Sequence, residues 1–144
     1  MPSGALEAAL DPDTVRQKIL AVLSNRIRGA IRDPSLTCAA VLVPLFFRDG
    51  EWWVLLTVRT QHVEHHKGQI SFPGGACDPE DADPQATALR EAREEIGIPP
   101  EVVEIVGVLD DLPTVTGFVV TPVVGVLSHP FPYRLNPSEV AAVV

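Results

Sequence analysis

Arg90-Glu91-Ala92-Arg93-Glu94-Glu95-Ile96-Gly97 is the stretch on which the reading of this chain turns. Glu91 and Glu95 are four residues apart, so on a helix they share one face, with Cβ atoms roughly 5–6 Å apart. Glu94 comes three residues after Glu91 and flanks the same face. Three carboxylates so close repel one another, and they sit in the last turns, where the helix dipole disfavours negative charge. Each effect costs from tenths of a kcal/mol to about one, but both carry the same sign. A divalent cation reverses that sign, because carboxylate oxygens are preferred ligands of magnesium. Arg90, four residues before Glu94, can pair with it and hold that carboxylate in place. The opposite face (Ala88, Ala92 and Ile96) has the spacing of a small, buried stripe. The competing reading is a solvated helix face laced with i,i+4 ion pairs.

The flanking residues favour a site. Asp83 suits a helix cap, Pro84 the first turn and Gly97 the C-terminal stop. An acid-rich loop (Asp78, Glu80, Asp81, Asp83) leads into this helix, and Gly74-Gly75 before it allows close backbone approach to a ligand. Farther upstream, Arg59, Lys67 and the histidines His62, His65 and His66 gather around Gly68, Gln69 and Ser71. In an acidic chain this local basic stretch suits a phosphate-rich, polar ligand beside a metal site. A plain surface loop is the competing reading for His62 and His65. A transition-metal site is disfavoured, because the adjacent His65 and His66 cannot face one ion as an i,i+4 helical pair would.

Around this centre the pattern is mixed. Val15, Ile19, Leu23, Ile27 and Ile31 predict an amphipathic helix over residues 13–31, broken by Arg32-Asp33-Pro34-Ser35. Residues 37–47 and 52–60 read as strands joined by a tight turn at Asp49-Gly50. A short β-prone piece at 69–72 interrupts the loop 61–83. Residues 102–112 and 117–127 read as two more strands, joined by a turn through Pro113 and Thr116. The apolar Ala141–Val144 looks like a strand beginning, which suggests a truncated chain.

The chain has 144 residues, 46% of them hydrophobic, enough to fill one core. The expected organisation is one domain, with a helical region over 1–35 and the core over 36–144. The formal net charge of −8 argues against nucleic acid and anionic membranes as partners. No run reaches the roughly 18–20 apolar residues that span a bilayer, and the N-terminus lacks the pattern of a secretory signal. Cys38 and Cys77 fit neither a CxxC nor a zinc pattern. They are therefore expected to be free thiols in a reducing cytoplasm.

The stretch from Gly75 to Ile98 resembles the signature of the Nudix hydrolases, G-x5-E-x7-R-E-U-x-E-E-x-G-U, where U is aliphatic. Arg90, Glu91, Ala92, Glu94, Glu95, Gly97 and Ile98 occupy its second half. In the first half Asp81 stands where the pattern has Glu, with eight residues rather than seven before Arg90. The segment from Leu55 to Gly75 is similar to the signature of the coenzyme A pyrophosphatase branch, L-L-T-x-R-[SA]-x3-R-x3-G-x3-F-P-G-G. Leu55, Leu56, Thr57, Arg59, Gly68, Phe72, Pro73, Gly74 and Gly75 fit it. Thr60 replaces Ser or Ala, and Glu64 stands where the pattern has Arg. Thr121-Pro122-Val123-Val124-Gly125 also looks like this branch.

The resemblance implies an α/β fold, an α/β/α sandwich around a mixed sheet with a loop-helix-loop motif and a C-terminal helix not contained here. It implies Mg²⁺ or Mn²⁺ held by Glu91, Glu94, Glu95 and the Gly74 carbonyl, with Glu91 orienting or deprotonating water and Arg90 holding the carboxylates. The implied reaction cleaves the diphosphate of coenzyme A or its thioesters to 3′,5′-ADP and 4′-phosphopantetheine. Candidate substrate contacts are Arg59, His66, Lys67, Gly68, Gln69 and Ser71, and Glu139 is a candidate late carboxylate. The implied partner is a small nucleotide, and a homodimer is compatible with the sequence. Two alternatives stay open: a dinucleotide or nucleotide-sugar hydrolase, and a catalytically silent domain that binds a nucleotide.

Overall fold

The computed structural model describes residues 11–60, 68–138 and 140–143. Helix α1 spans Pro12–Ser24. Strands β1 (Thr37–Arg48), β2 (Glu51–Val54), β3 (Thr57–Arg59), β4 (Ile70–Ser71) and β5 (Gly74–Ala76) follow. Helix α2 (Pro84–Ile96) and a single 3₁₀ turn at Pro100–Val102 lead to β6 (Val103–Val108), β7 (Leu112–Pro113), β8 (Phe118–Leu127) and β9 (Val140–Val143). Among the described residues no helix is long and apolar enough to cross a membrane.

The sheet is mixed, as expected. Its main path runs β2-β1-β8-β6, with β5 also on β1 and β7 also on β8. β1 runs parallel to β8, while β6 pairs with β8 in the antiparallel sense. The other side of β1 is shared, by β5 opposite Ala39–Val41 and by β2 opposite Leu45–Arg48. Pro44 falls in the gap between those partners. Leu42 N–H points to that side, donating to the Pro73 carbonyl at 2.8 Å, so two residues on the missing N–H of Pro44 faces the break. The β1–β2 turn has Asp49 and Gly50 at φ 53° and 79°, the double positive φ that an Asp-Gly hairpin supplies.

Helices cover both faces. Ala88 and Ala92 of α2 pack in one cluster with Ala40, Leu42 and Val123, against which Ile105 lies. Its neighbour Glu104 points the other way, where both its carboxylate oxygens accept from Nη1 of Arg16 on α1 at 3.0 and 2.9 Å. A bulge between Ile105 and Gly107 then turns Gly107 towards α1. A Cβ on Gly107 would lie 2.3 Å from Leu23 Cβ, so only glycine admits the helix this close. Ile96 and Ile98 extend the α2 stripe into a second cluster with Phe46, Leu55 and Leu127.

Four expectations change. The first helix stops at Ser24 because the segment after it is claimed by the loop beyond β6. Gly29 N–H donates to Asp110 and Ile31 N–H to Asp111, bonds that a continuing helix would forbid. The run 52–60 is two strands in different sheets, since β3 leaves β1 to join a three-stranded sheet, β4-β3-β9. The run 102–112 likewise divides into β6 and β7. Finally, Cys38 and Cys77 are not free thiols but a disulfide. Strand pairing is the reason. Ala39 lies opposite Ala76, and Cys77 N–H donates to the Cys38 carbonyl at 2.9 Å, so the ladder sets the two cysteines face to face with Cα atoms 5.4 Å apart. Closing a loop of 39 residues stabilises a chain by about 4 kcal/mol on a chain-entropy argument.

Candidate active site

α2 has the boundaries its sequence signals. The Asp83 carboxylate accepts from Ala86 N–H at 2.8 Å, with Pro84 in the first turn. Gly97 closes the helix at φ 67°, donating to the Arg93 carbonyl at 3.0 Å. The last carbonyls receive further donors from the chain's end, Arg134 N–H to Ile96 and Asn136 N–H to Glu95, at 2.7 and 2.8 Å. The helix is thereby fixed at both ends.

On this helix the three glutamates have different environments. Glu95 is only 5% exposed, and its Oε2 accepts from Gly74 N–H at 3.2 Å. Glu91, with a side chain 15% exposed, lies over Gly75. A Cβ on Gly75 would come within 2.7–2.9 Å of the Glu91 carboxylate, so a side chain there would displace it. Glu94 stands 54% exposed at the rim. Two carboxylates thus share the Gly74–Gly75 step, and the third borders it.

Arg90 ties this group together. Its Nη1 reaches Glu91 at 3.0 Å and Glu94 at 3.2 Å, the i,i+4 pair the spacing predicts. Its Nε and Nη2 fork onto Asp81 at 3.1 and 3.0 Å, and Nη2 also donates to the Ala76 carbonyl at 3.1 Å. Asp81 is the residue the sequence left without a role. It is nearly buried, and it accepts from Thr87 Oγ1 at 2.8 Å and Asp78 N–H at 2.9 Å. The Arg90 fork, with the Asp78 amide, holds the Asp81 carboxyl well below the usual carboxylate range. Asp81 in turn raises the Arg90 guanidinium above its ordinary value. The eight-residue spacing hides this partnership in the sequence, although an acid just before a capped helix could have signalled it.

Of the expected substrate contacts, the antiparallel pairing of β3 with β4 brings four together. Arg59 N–H donates to the Gln69 carbonyl at 2.9 Å, and Gly68 N–H to the Arg59 carbonyl at 3.0 Å, with Gly68 at φ 71°. Ser71 lies opposite Thr57, whose hydroxyl donates to the Ser71 carbonyl at 3.1 Å. The buried Arg59 Nε has no hydrogen-bond partner among the described residues. His62, Glu64, His65, His66, Lys67 and Glu139 lie outside the described residues. The β3–β4 pair connects through Pro73 directly to Gly74.

A model of the NUDIX domain matches residues 36–141, nearly three quarters of the sequence. The chain belongs to the Nudix family. Nudix relatives agree with this. It is 55% identical over 105 residues to an uncharacterized Nudix hydrolase NudL of Enterobacter sp. (strain 638), covering 73% of this chain and 54% of that one. NudL of Escherichia coli (strain K12) is 51% identical over the same shares. The chain therefore spans about half the length of the curated relatives it matches. Among solved Nudix structures, M. smegmatis RenU is 26% identical with a TM-score of 0.64, covering 75% of this chain and 68% of that one. The fold alone is shared with a C. elegans Ap4A hydrolase binary complex, at 24% identity and a TM-score of 0.63, covering 74% and 76%. It is shared as well with the NUDIX domain of Shewanella oneidensis NrtR complexed with ADP ribose, at 20% identity and a TM-score of 0.58, covering 86% and 79%.

Nudix hydrolases generally use divalent metals such as Mg²⁺ or Mn²⁺. The side-chain donors around Gly74–Gly75 are carboxylate oxygens, the ligand chemistry of a hard divalent cation. Among the described residues no three Asp, Glu, His or Cys side chains are already gathered to enclose an ion. Glu91 is engaged by Arg90 and Glu95 by Gly74. The donor type fits such a cation, while the ligand set is not assembled beforehand.

Proposed function

We propose that this domain is a Mg²⁺- or Mn²⁺-dependent pyrophosphohydrolase of coenzyme A or acyl-CoA, releasing 3′,5′-ADP and (acyl-)4′-phosphopantetheine. The observation that carries the reaction is the meeting of Glu91 and Glu95 at Gly74–Gly75, with Arg90 locked to Asp81 behind them. In this reading Glu91, Glu95 and the Gly74 carbonyl hold the cation, with Glu94 at the rim. When bound, the cation neutralises diphosphate charge and polarises a phosphoryl oxygen.

The protein's own groups do the rest. Glu91 orients an attacking water or takes its proton, within reach of the phosphorus to which the water adds. Arg90 keeps Glu91 and Glu94 in place, and the Asp81 fork keeps Arg90 extended. Gly74 N–H keeps the Glu95 carboxylate aimed at the same step. The oxyanion that leaves on the adenylate or pantetheine side is met by cationic groups of the preceding segment. Arg59, His66 and Lys67 are the residues assigned to the diphosphate and the 3′-phosphate. Gly68, Gln69 and Ser71 are assigned to polar contacts along the ligand. A cytoplasmic setting and a small nucleotide as the partner belong to the same reading.

Coenzyme A is supported by the segment from Leu55 to Gly75, and the hydrolytic step by α2. Glu64, which replaces the positive charge of the branch pattern, favours keeping a second substrate class, dinucleotides or ADP-ribose-like derivatives. Two proteins that share the fold, an Ap4A hydrolase and a NUDIX domain complexed with ADP ribose, involve ligands of that class. The test is incubation of the pure full-length protein with CoA and Mg²⁺, followed by mass spectrometry. Phosphopantetheine and 3′,5′-ADP are the expected products. Cleavage of a dinucleotide or ADP-ribose with CoA left intact overturns the substrate, and no cleavage of any diphosphate overturns the reaction.

A further inference from the structure

The Cys38–Cys77 pair lies outside the carboxylate group but is joined to it through backbone. Cys77 follows Ala76, whose carbonyl accepts from Arg90 Nη2 at 3.1 Å. It precedes Asp78, whose amide donates to Asp81 at 2.9 Å. Cys77 therefore sits between a contact to Arg90 and a contact to its partner Asp81. β5 is held to β1 by three register pairs, Ala39–Ala76, Ala40–Gly75 and Val41–Gly74. The two glycines of that short ladder are the ones against which Glu91 and Glu95 rest. At one end β5 continues into Pro73, whose carbonyl is bonded to Leu42 N–H. At the other end the disulfide reinforces a single backbone hydrogen bond, Cys77 N–H to the Cys38 carbonyl.

Cys38 is exposed and Cys77 partly so. Cys38 also lines an open cleft of roughly 430 Å³ with Arg28, Arg32, Asp33 and Pro84. A bridge inside a buried core would be shielded from exchange, whereas this one is accessible.

We propose that Cys38–Cys77 is a reversible thiol–disulfide site that sets how firmly the Gly74–Gly75 strand is held beneath Glu91 and Glu95. A thiolate of a dithiol reductant attacks Cys38 Sγ, and the S–S electron pair leaves on Cys77 Sγ, which takes up a proton. The second thiolate of the reductant then attacks its own sulfur in the mixed disulfide and releases Cys38, which is protonated in turn. Two electrons and two protons reach the protein, and the reductant becomes a disulfide. A two-electron thiol oxidant, such as a small disulfide, reverses the sequence. In the opened state β5 keeps its three backbone pairs but loses its covalent tie. Any consequence for metal-dependent turnover rests on the function proposed above, whereas the redox step and the loosening of β5 do not.

The test uses the full-length protein treated either with oxidised glutathione or with reduced dithiothreitol. Alkylation after denaturation, read by mass, is expected to label neither Cys38 nor Cys77 in the first state and both in the second. Hydrogen exchange of a peptide covering residues 74–78 is expected to be at least about threefold faster in the reduced protein, with peptides of α1 unchanged. The Cys38→Ser/Cys77→Ser double variant should exchange as the reduced protein does and ignore both reagents. If that variant fails to fold, the two states of the natural chain decide alone. Labelling of both cysteines after the oxidant, or equal exchange of residues 74–78 in both states, overturns the proposal. A protein that hydrolyses no diphosphate yet shows the exchange difference overturns only the proposed function. Hydrolysis without any redox-dependent exchange overturns only the switch.

Discussion

Two nearly buried aspartates in this molecule have almost the same surroundings and do different work. Asp81 is held by Arg90, Thr87 Oγ1 and the Asp78 amide. Asp111 faces Arg28 at 3.2 Å, accepts from Thr121 Oγ1 at 2.6 Å and from Ile31 N–H at 3.0 Å. Both are one carboxylate, one arginine, one threonine hydroxyl and one backbone amide. The arginines differ. Arg90 meets Asp81 with two aligned nitrogens and continues to Glu91, Glu94 and the Ala76 carbonyl. Arg28 Nε is close to Asp111 without an aligned hydrogen bond, and the contact ends there. The second cluster fastens the segment after α1 to the end of β6. The first uses the same fastening to present carboxylates. An ion pair near a site is therefore read from what its arginine does with its remaining donors.

Four measurements distinguish the two clusters. The largest effect is expected at the far end of the Arg90 chain. Glu91→Gln should cut turnover on the order of 10²–10⁴-fold with little change in melting temperature. Unchanged turnover would remove Glu91 from the chemistry.

Next come the anchors themselves. Asp81→Asn and Asp111→Asn should each lose about 2 kcal/mol in urea unfolding, because each leaves charged or buried donors poorly paired. Only Asp81→Asn should also depress turnover, by roughly tenfold or more. Equal losses of activity would mean that both clusters serve the site, or neither.

Acid separates the two variants further. The Asp81 carboxyl titrates lower in the folded chain than in the unfolded one, because of Arg90 and the Asp78 amide. Falling pH therefore adds a proton to the unfolded state first. The stabilisation from Asp81 is fully present above the ordinary Asp range near pH 4 and is lost below it as the pH falls towards the folded pKa. The stability of Asp81→Asn relative to the natural chain should recover between about pH 4 and pH 2. An unchanged difference across that interval would sink the assignment.

The smallest effects belong to the hydroxyls. Thr87→Val and Thr121→Val should each cost about 1 kcal/mol. A several-fold fall in turnover is expected for Thr87→Val alone, through a loosened Asp81.

Much of the local structure was legible because it depends on neighbours in sequence. The ends of α2 follow from Asp83, Pro84 and Gly97, and its buried stripe from Ala88, Ala92 and Ile96. The Asp49-Gly50 turn requires positive φ at both positions, which these residues tolerate. Other features depended on distant partners. Nothing near Ser24 announces a helix end, because the cause is Asp110 and Asp111 in another part of the chain. The run 52–60 gives no sign that its two halves enter different sheets. Asp81 looked like a departure from a pattern until Arg90 folded onto it.

Residue order alone made the family legible, since 36–141 matches the NUDIX domain, together with the acidic spacing of Arg90, Glu91, Glu94 and Glu95 on which the proposed reaction rests. These are properties of one helix and of residue order, which chain geometry fixes within a few positions. That Glu91 and Glu95 meet at Gly74–Gly75, that Asp81 holds Arg90, and that Cys38 and Cys77 are bonded came from the folded chain. Each of those joins residues brought together by the pairing of β5 with β1 and by the packing of α2 across it. Such contacts are set by strand register and burial of the whole core, and no local stretch of sequence contains them.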